Sequence, residues 1–240
     1  MGGKNQKSKS TPSKSYSCEY CNRSFAKETT LISHLCEKKR RYKQKDETAV
    51  RIAFNLFVIF YNQIQSGKNT QQAKTYDDFV DSPYYLAFVK FGRHAVDINV
   101  FDVEGFYKWL LANDIKIDHW CKDSYYQEFL KVKLLTENVA DAVARSISTM
   151  DDWAKGAGSK MQDYFKYASS GRICRDISMG LVSPWVIYCS KTGNKFLETL
   201  DEENLKYIWD WIDSSRWERK FNRHEQDVDW IKEIMRSSGF

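Results

Sequence analysis

Four residues near the start of the chain have types and spacing that allow joint chemistry. Cys18 and Cys21 are separated by two residues, Cys21 and His34 by twelve, and Cys36 follows His34 after one more. Thiolate and imidazole are the donors that hold a tetrahedral zinc ion, and two cysteines this close form a knuckle that presents both sulfurs to one ion. A fourth donor would ordinarily follow the histidine after three to five residues. Lys38, Lys39 and Arg40 stand there, none of which can ligate. Cys36 is the nearest candidate. Residues two apart on a regular helix point to different faces, so Cys36 can join the set only if the helix ends or distorts near Leu35. The alternative is that Cys36 is a small buried hydrophobe, with water or a remote residue as the fourth ligand.

The residues between Cys21 and His34 must turn back and begin a helix that delivers the imidazole. Tyr16, Phe25 and Leu31 supply the apolar contacts such a miniature fold needs, because about 25 residues cannot bury a sufficient core without a metal. The pattern Tyr16-x-Cys18-x2-Cys21-x3-Phe25-x5-Leu31-x2-His34 resembles the first three-quarters of a C2H2 zinc finger and covers about a tenth of the chain. With Cys36 it would be a C2HC variant over residues 16–36. The resemblance implies a ββα unit, bound zinc and a helix that can face DNA. It places Lys27, Thr30 and Ser33 at the base-facing positions, with Lys27 able to reach guanine O6 or N7 and Thr30 a thymine methyl. One finger spans about three base pairs, too few to select a site in a genome.

Charge is distributed unevenly. The first 45 residues hold twelve Lys or Arg and three Glu, a net +9, whereas the remainder is net −4. Residues 1–15 are a Gly, Ser and Lys tail expected to be disordered, equally a phosphate-contacting arm or a solubilising leader. Lys38, Lys39, Arg40, Arg41, Lys43 and Lys45 form a basic run suited to gripping phosphates with steep salt dependence. The same run has the form of a nuclear-import signal, should the host have a nucleus.

From residue 47 onward the pattern is helical. Val50, Ala53, Leu56, Phe57, Phe60 and Ile64 recur at three- and four-residue spacing, and no Pro or Gly occurs from Ser24 to Ser66, so the finger helix is free to run on, kinked near Cys36. Further helices are expected from Ser82-Pro83 to Gly92, over 103–111, 124–135, 137–153, 161–168 and 172–179, from Ser183-Pro184 to Gly193, over 201–212 and over 227–236. Residues 67–75 read as a loop. The matching Ser-Pro starts and Gly stops raise the idea of a duplicated unit, weakly, since self-similarity is low. The fold class expected is mainly α: a small ββα finger followed by an all-α, aromatic-rich domain, with boundaries 1–15, 16–46 and 47–240. Eight tryptophans fall mostly on apolar stripes and read as core.

Several classes are disfavoured. There is no phosphate-binding Gly-rich loop, no GxSxG and no HExxH, so an enzyme is not expected. His119 and Cys121 lack supporting ligands and read as packing residues. Glu137, Asp141 and Arg145 stand at four-residue steps and read as a solvated salt ladder. Scattered Cys121, Cys174 and Cys189 make no disulfide framework, and a thiol-metal site fits a reducing compartment. The most hydrophobic run, Ala53 to Tyr61, is too short to cross a bilayer. No secretory signal is visible, and the Met1-Gly2 start fails as a myristoylation motif because position six is Gln6. A finger ending His-x-Cys-x-Lys-Lys-Arg-Arg before an aromatic-rich helical body is similar to zinc-finger proteins of unassigned role in large tailed phages. That likeness implies action in bacterial cytoplasm, on phage DNA or host transcription. The expectation is a zinc-dependent nucleic-acid-binding protein, DNA more than RNA, with a helical domain that meets a protein partner and no membrane role. The alternative is an interaction adaptor in which zinc stabilises a docking surface.

Overall fold

A computed structural model describes residues 15–65 and 73–240. The lysine-bearing tail before Ser15 and most of the 67–75 stretch lie outside the described residues. The fold is mainly α, with one two-stranded sheet at the N-terminus and an aromatic-rich helical body. The chain divides into two compact units, the first ending at Arg93 and the second spanning His94–Phe240.

In the first unit, β1 (Tyr16–Ser17) pairs antiparallel with β2 (Ser24–Phe25), Tyr16 opposite Phe25 and Ser17 opposite Ser24. Asn22 makes the connecting turn in the left-handed region, at φ 57°, a conformation that asparagine tolerates better than most side chains. Helix α1 (Glu28–Ser33) and helix α2 (Glu37–Lys43) follow. The expected continuous helix is therefore broken: His34 and Cys36 have extended ψ values of 123° and 164°. No Pro or Gly marks the break.

Helix α3 (Thr48–Gln65) carries the apolar stripe, with Val50, Ala53, Leu56 and Phe57 buried. Helix α4 (Tyr76–Val80) begins in a capping box formed by Thr75 and Asp78. Its Phe79 is fully buried against Phe57, ring centroids 5.0 Å apart. Helix α5 (Tyr85–Asp97) starts two residues after Pro83 and does not stop at Gly92. Gly92 serves a different need. A Cβ there would lie 2.2 Å from the Ala49 carbonyl oxygen, so the glycine lets two backbones approach.

The second unit contains α6 (Val103–Ala112), α7 (Asp123–Thr136), α8 (Val139–Ala157), α9 (Tyr164–Tyr167), α10 (Ser170–Ser178), α11 (Pro184–Cys189), α12 (Lys191–Thr199), α13 (Glu202–Ile212), α14 (Ser214–Phe221) and α15 (Glu225–Ser237). Trp185, Trp217, Tyr164, Ile173, Ile177 and Ile231 are among its fully buried core residues. Pro184 opens α11 as expected. The helix ends at Cys189, however, and Gly193 donates its N–H to the Ser190 hydroxyl at the start of α12. The two Ser-Pro stretches thus fold differently, which removes the suggestion of a duplication. Helix α14 had no counterpart in the sequence reading.

The Glu137, Asp141 and Arg145 ladder is also corrected. Glu137 lies outside α8, in extended conformation, so it meets Arg145 eight residues on. Its side chain is 1% exposed and takes both guanidinium nitrogens, at 2.6 and 2.9 Å. Arg145 also donates to the Gly180 carbonyl and stands 4.0 Å from the Phe101 ring centroid. Asp141 remains exposed. This is a buried clip that joins α8 to the turn after α10. Among the described residues no helix is long and apolar enough to cross a membrane.

Candidate metal centre

The knuckle holds itself together through its backbone. Cys18 N–H donates to the Arg23 carbonyl at 2.9 Å, and Asn22 N–H donates to the Cys18 carbonyl at 2.8 Å. The two thiols therefore leave the hairpin on the same side. Helix α1 brings His34 to them, with its ring 4.7 Å from Phe25. The break at Leu35 then returns the chain, and Cys36 arrives as the N-cap of α2, its sulfur accepting from Lys39 N–H.

The donor atoms of Cys18, Cys21, His34 and Cys36 all lie within 4.8 Å of one another. Cys18 Sγ and Cys36 Sγ are 4.0 Å apart, and Cys21 Sγ is 3.3 Å from His34 Nε2. A tetrahedral ion with sulfur bonds near 2.3 Å and nitrogen bonds near 2.0 Å sets its ligand atoms roughly 3.5–3.8 Å apart. The four residues fit a metal ion, Cys36 included, because the chain ends α1 where the sequence argument required. Among the described residues this is the one group of three or more such donors. His119 and Cys121 belong to no cluster.

Cys18 is buried and Cys21 exposed. Burial works against the Cys18 thiolate, but the backbone N–H groups of Cys21 and Tyr20 and the neighbouring thiols outweigh it and hold its pKa below the usual thiol value. For Cys21 the Arg23 N–H favours the thiolate, yet burial and the nearby sulfurs prevail and raise its pKa. Thiols that interact this closely titrate as a set. Four protein donors would leave an ion no open position, as in sites of the closed, structural kind.

The predicted contact residues are placed unequally. Lys27 is the N-cap of α1, and Lys27, Thr30 and Ser33 are all exposed at three-residue intervals. In the basic run, Arg40, Lys43 and Lys45 are exposed, Lys45 lying 5.3 Å from the Tyr76 ring centroid. Lys38 and Arg41 are turned inward on the unit. Lys38 pairs with Asp81 at 2.7 Å. Arg41 donates to the Val80 carbonyl and to Glu37, and its guanidinium stands 4.3 Å from the Tyr85 ring centroid. Lys39 donates to the His34 carbonyl at 3.2 Å.

An aromatic path seats the module on the helices behind it. Tyr20 meets Tyr42, Tyr42 meets Tyr76, and Tyr76 meets Phe54, at centroid distances of 5.1, 5.6 and 5.5 Å. Tyr42 donates its hydroxyl to Asp77. That hydrogen bond, with burial, pushes the Tyr42 hydroxyl up to about 12.

In the second unit, a cavity of about 570 Å³ is lined by Cys189, Trp217, Glu218, Glu225, Asp229 and Lys232, among others. Burial pushes the Cys189 thiol up to about 11, so it is a poor nucleophile there. A second cavity of about 360 Å³ is bounded by Leu135, Arg216, Arg219, Lys220, Arg223 and His224. The sequence reading missed this basic set. Its signal was present as Arg-x-x-Arg-Lys-x-x-Arg-His over 216–224, a spacing that collects cations on one helical face. Comparison with protein families, with characterised proteins and with solved structures gave no match.

Proposed function

We propose that this chain is a non-enzymatic, zinc-binding protein whose N-terminal module is a C2HC variant of the C2H2 finger and holds nucleic acid mainly by its phosphates. The carrying observation is the Cys3His cluster on a ββα unit whose α1 leaves Lys27, Thr30 and Ser33 exposed together. Zinc is the metal favoured by three thiolates and one imidazole in a closed tetrahedral set. When bound, the ion fixes the hairpin to α1 and to the start of α2. The phosphate contacts are assigned to Arg40, Lys43 and Lys45, since Lys38 and Arg41 are engaged within the unit.

Purified protein should carry one zinc per chain, and Cys18→Ser should lose it. Binding to duplex DNA should weaken steeply with salt, and replacing Arg40, Lys43 and Lys45 by alanine should reduce the log–log slope by roughly 2.7, at about 0.9 per phosphate contact. Absence of binding at low salt, or an unchanged slope in the triple variant, would remove the nucleic-acid reading. A metal-free wild type would remove the zinc reading.

A second reading is favoured by Ile32 and Leu35, 71% and 51% exposed on the metal module. Apolar side chains left in solvent beside a rigid centre suit a protein partner. Recovery of one stoichiometric protein partner, unaffected by nuclease and lost in Ile32→Ser/Leu35→Ser, would favour the adaptor.

A further inference from the structure

The basic cleft of the second unit has no part in the reading above. Arg216, Arg219 and Lys220 lie on α14, and Arg223 and His224 follow it, all lining one concavity with Leu135. Helix electrostatics explains part of this. Arg219 and Lys220 occupy the last turn, where cations complement the helix dipole. Arg216 does not fit that account, because it sits in the first turn, where a cation opposes the dipole.

Three of these cations also lack an ion-pair partner: among the described residues, no carboxylate lies within ion-pair distance of Arg216, Arg219 or Arg223. Arg216 donates one hydrogen bond to the Asp210 carbonyl and Arg219 one to the Ser215 carbonyl, at 3.3 and 3.1 Å. A guanidinium has five N–H donors, so most remain available. Lys220 is fixed as a wall of the cleft. Its Nζ donates to the Leu135 carbonyl at 2.7 Å and stands 5.3 Å from the buried Trp185 ring. His224 meets Asp227 at 3.2 Å, at the edge of the set. The like charges of Arg216, Arg219 and Arg223 repel one another, and a bound anion would relieve that repulsion. Their concentration here is notable in a chain that is net negative beyond residue 45.

We propose that this cleft binds consecutive phosphates of a nucleic-acid strand, independently of the N-terminal metal centre. Arg216 to Lys220 spans four residues of α14, about 6 Å at 1.5 Å per residue, and Arg223 lies two residues past the helix end. Cations spread over that length suit more than one phosphate group of a strand. Guanidinium groups bind phosphate in bidentate fashion. The form proposed is a single strand, whose backbone a cationic groove can follow without reading bases.

The test uses the full, metal-loaded chain and a fluorescent single-stranded oligonucleotide, with the matching duplex, over roughly 50–200 mM salt. Arg219→Gln/Arg223→Gln should lower the salt slope by about 1.4 on the single strand, at about 0.7 per contact. Arg219→Lys/Arg223→Lys should keep the slope, which separates charge from folding. The same decrement should appear when the Gln pair is made in a Cys18→Ser background. An unchanged slope in a Gln variant with native circular dichroism overturns the proposal. So does saturable binding of pyrophosphate that depends on Arg219 while the oligonucleotide does not bind. If the alanine triple at Arg40, Lys43 and Lys45 abolishes binding and the Gln pair changes nothing, this proposal falls and the finger reading stands. The reverse result leaves this proposal and removes the finger reading.

Discussion

Arg41→Ala and Arg40→Ala are adjacent changes in one basic run, and they should do opposite things. Arg41 is 16% exposed in its side chain, with its guanidinium over Tyr85, on the Val80 carbonyl and on Glu37. A partly desolvated cation–π contact contributes about 1 kcal/mol, and a hydrogen bond from a charged donor to a buried carbonyl about 1.5–3. The Glu37 pair adds little, because that carboxylate is 63% exposed. Arg41→Ala should therefore cost about 3 kcal/mol. In a unit of this size that corresponds to a fall of about 12–24 °C in melting temperature. Arg40 is exposed, so its alanine variant should melt within about 0.5 kcal/mol of wild type and lose one phosphate contact, lowering the duplex salt slope by about 0.9. The assay is thermal unfolding of metal-loaded protein by circular dichroism, paired with a salt titration of DNA binding below both transitions. The reasoning fails if Arg41→Ala melts like wild type while losing as much salt slope as Arg40→Ala. That result would mean the inward contacts of Arg41 contribute nothing and the side chain serves the nucleic acid.

Three further outcomes are expected. Glu137→Gln should destabilise the second unit by about 3 kcal/mol, because it strands the Arg145 charge away from water, whereas Glu137→Leu/Arg145→Met should recover most of the loss; denaturant midpoints decide this, and equal midpoints for the single and double variants would refute it. Gly92→Ala gains helix propensity of about 1 kcal/mol but drives a Cβ to 2.2 Å from the Ala49 oxygen, so the net effect should be a loss of about 1–3 kcal/mol, and a higher melting temperature would contradict the close approach. For acid sensitivity, burial alone would raise the Asp102 carboxyl, but Lys133 and the Gly105 N–H hold its pKa below the ordinary aspartate value. A carboxylate depressed in the folded state stabilises above its unfolded pKa, near 3.9, and that stability is lost as pH falls through the folded value. Asp102→Asn should flatten the acid limb of the stability profile below about pH 4; a profile that runs parallel to wild type would exclude the charge effect.

The candidate donor set was legible because metal geometry leaves few spacings, and Cys18, Cys21 and His34 fit one of them. Cys36 was legible conditionally. The sequence argument stated that the helix must end near Leu35, but no Pro or Gly there signals an end, and the break depends on tertiary seating that no local pattern encodes. Glycines misled for a related reason. Gly92 and Gly193 are ordinary stop signals by propensity, yet one permits a helix crossing and the other receives a serine cap, and both roles depend on residues elsewhere in the fold. Arg41 and Arg40 look identical in the run Lys-Lys-Arg-Arg. What separates them is α4, which supplies Val80 and leads to Tyr85, and which follows a stretch that reads as loop. Helix α14 was not legible because Trp217 is its one buried residue, which leaves too few apolar positions to show a helical stripe.

The aromatic path from Tyr20 through Tyr42 and Tyr76 to Phe54 has a consequence for how the metal module can be handled. A small metal-binding module that closes its own core is portable: it can be cut out, concatenated or grafted onto another protein as a cassette. Here two of the rings that seat the knuckle are supplied by chain some thirty to sixty residues downstream. A peptide ending at Lys45 would carry all four donors yet lack Phe54 and Tyr76. The smallest transplantable piece is therefore the whole first unit, and nascent chain can finish this seat only after α4 has left the ribosome.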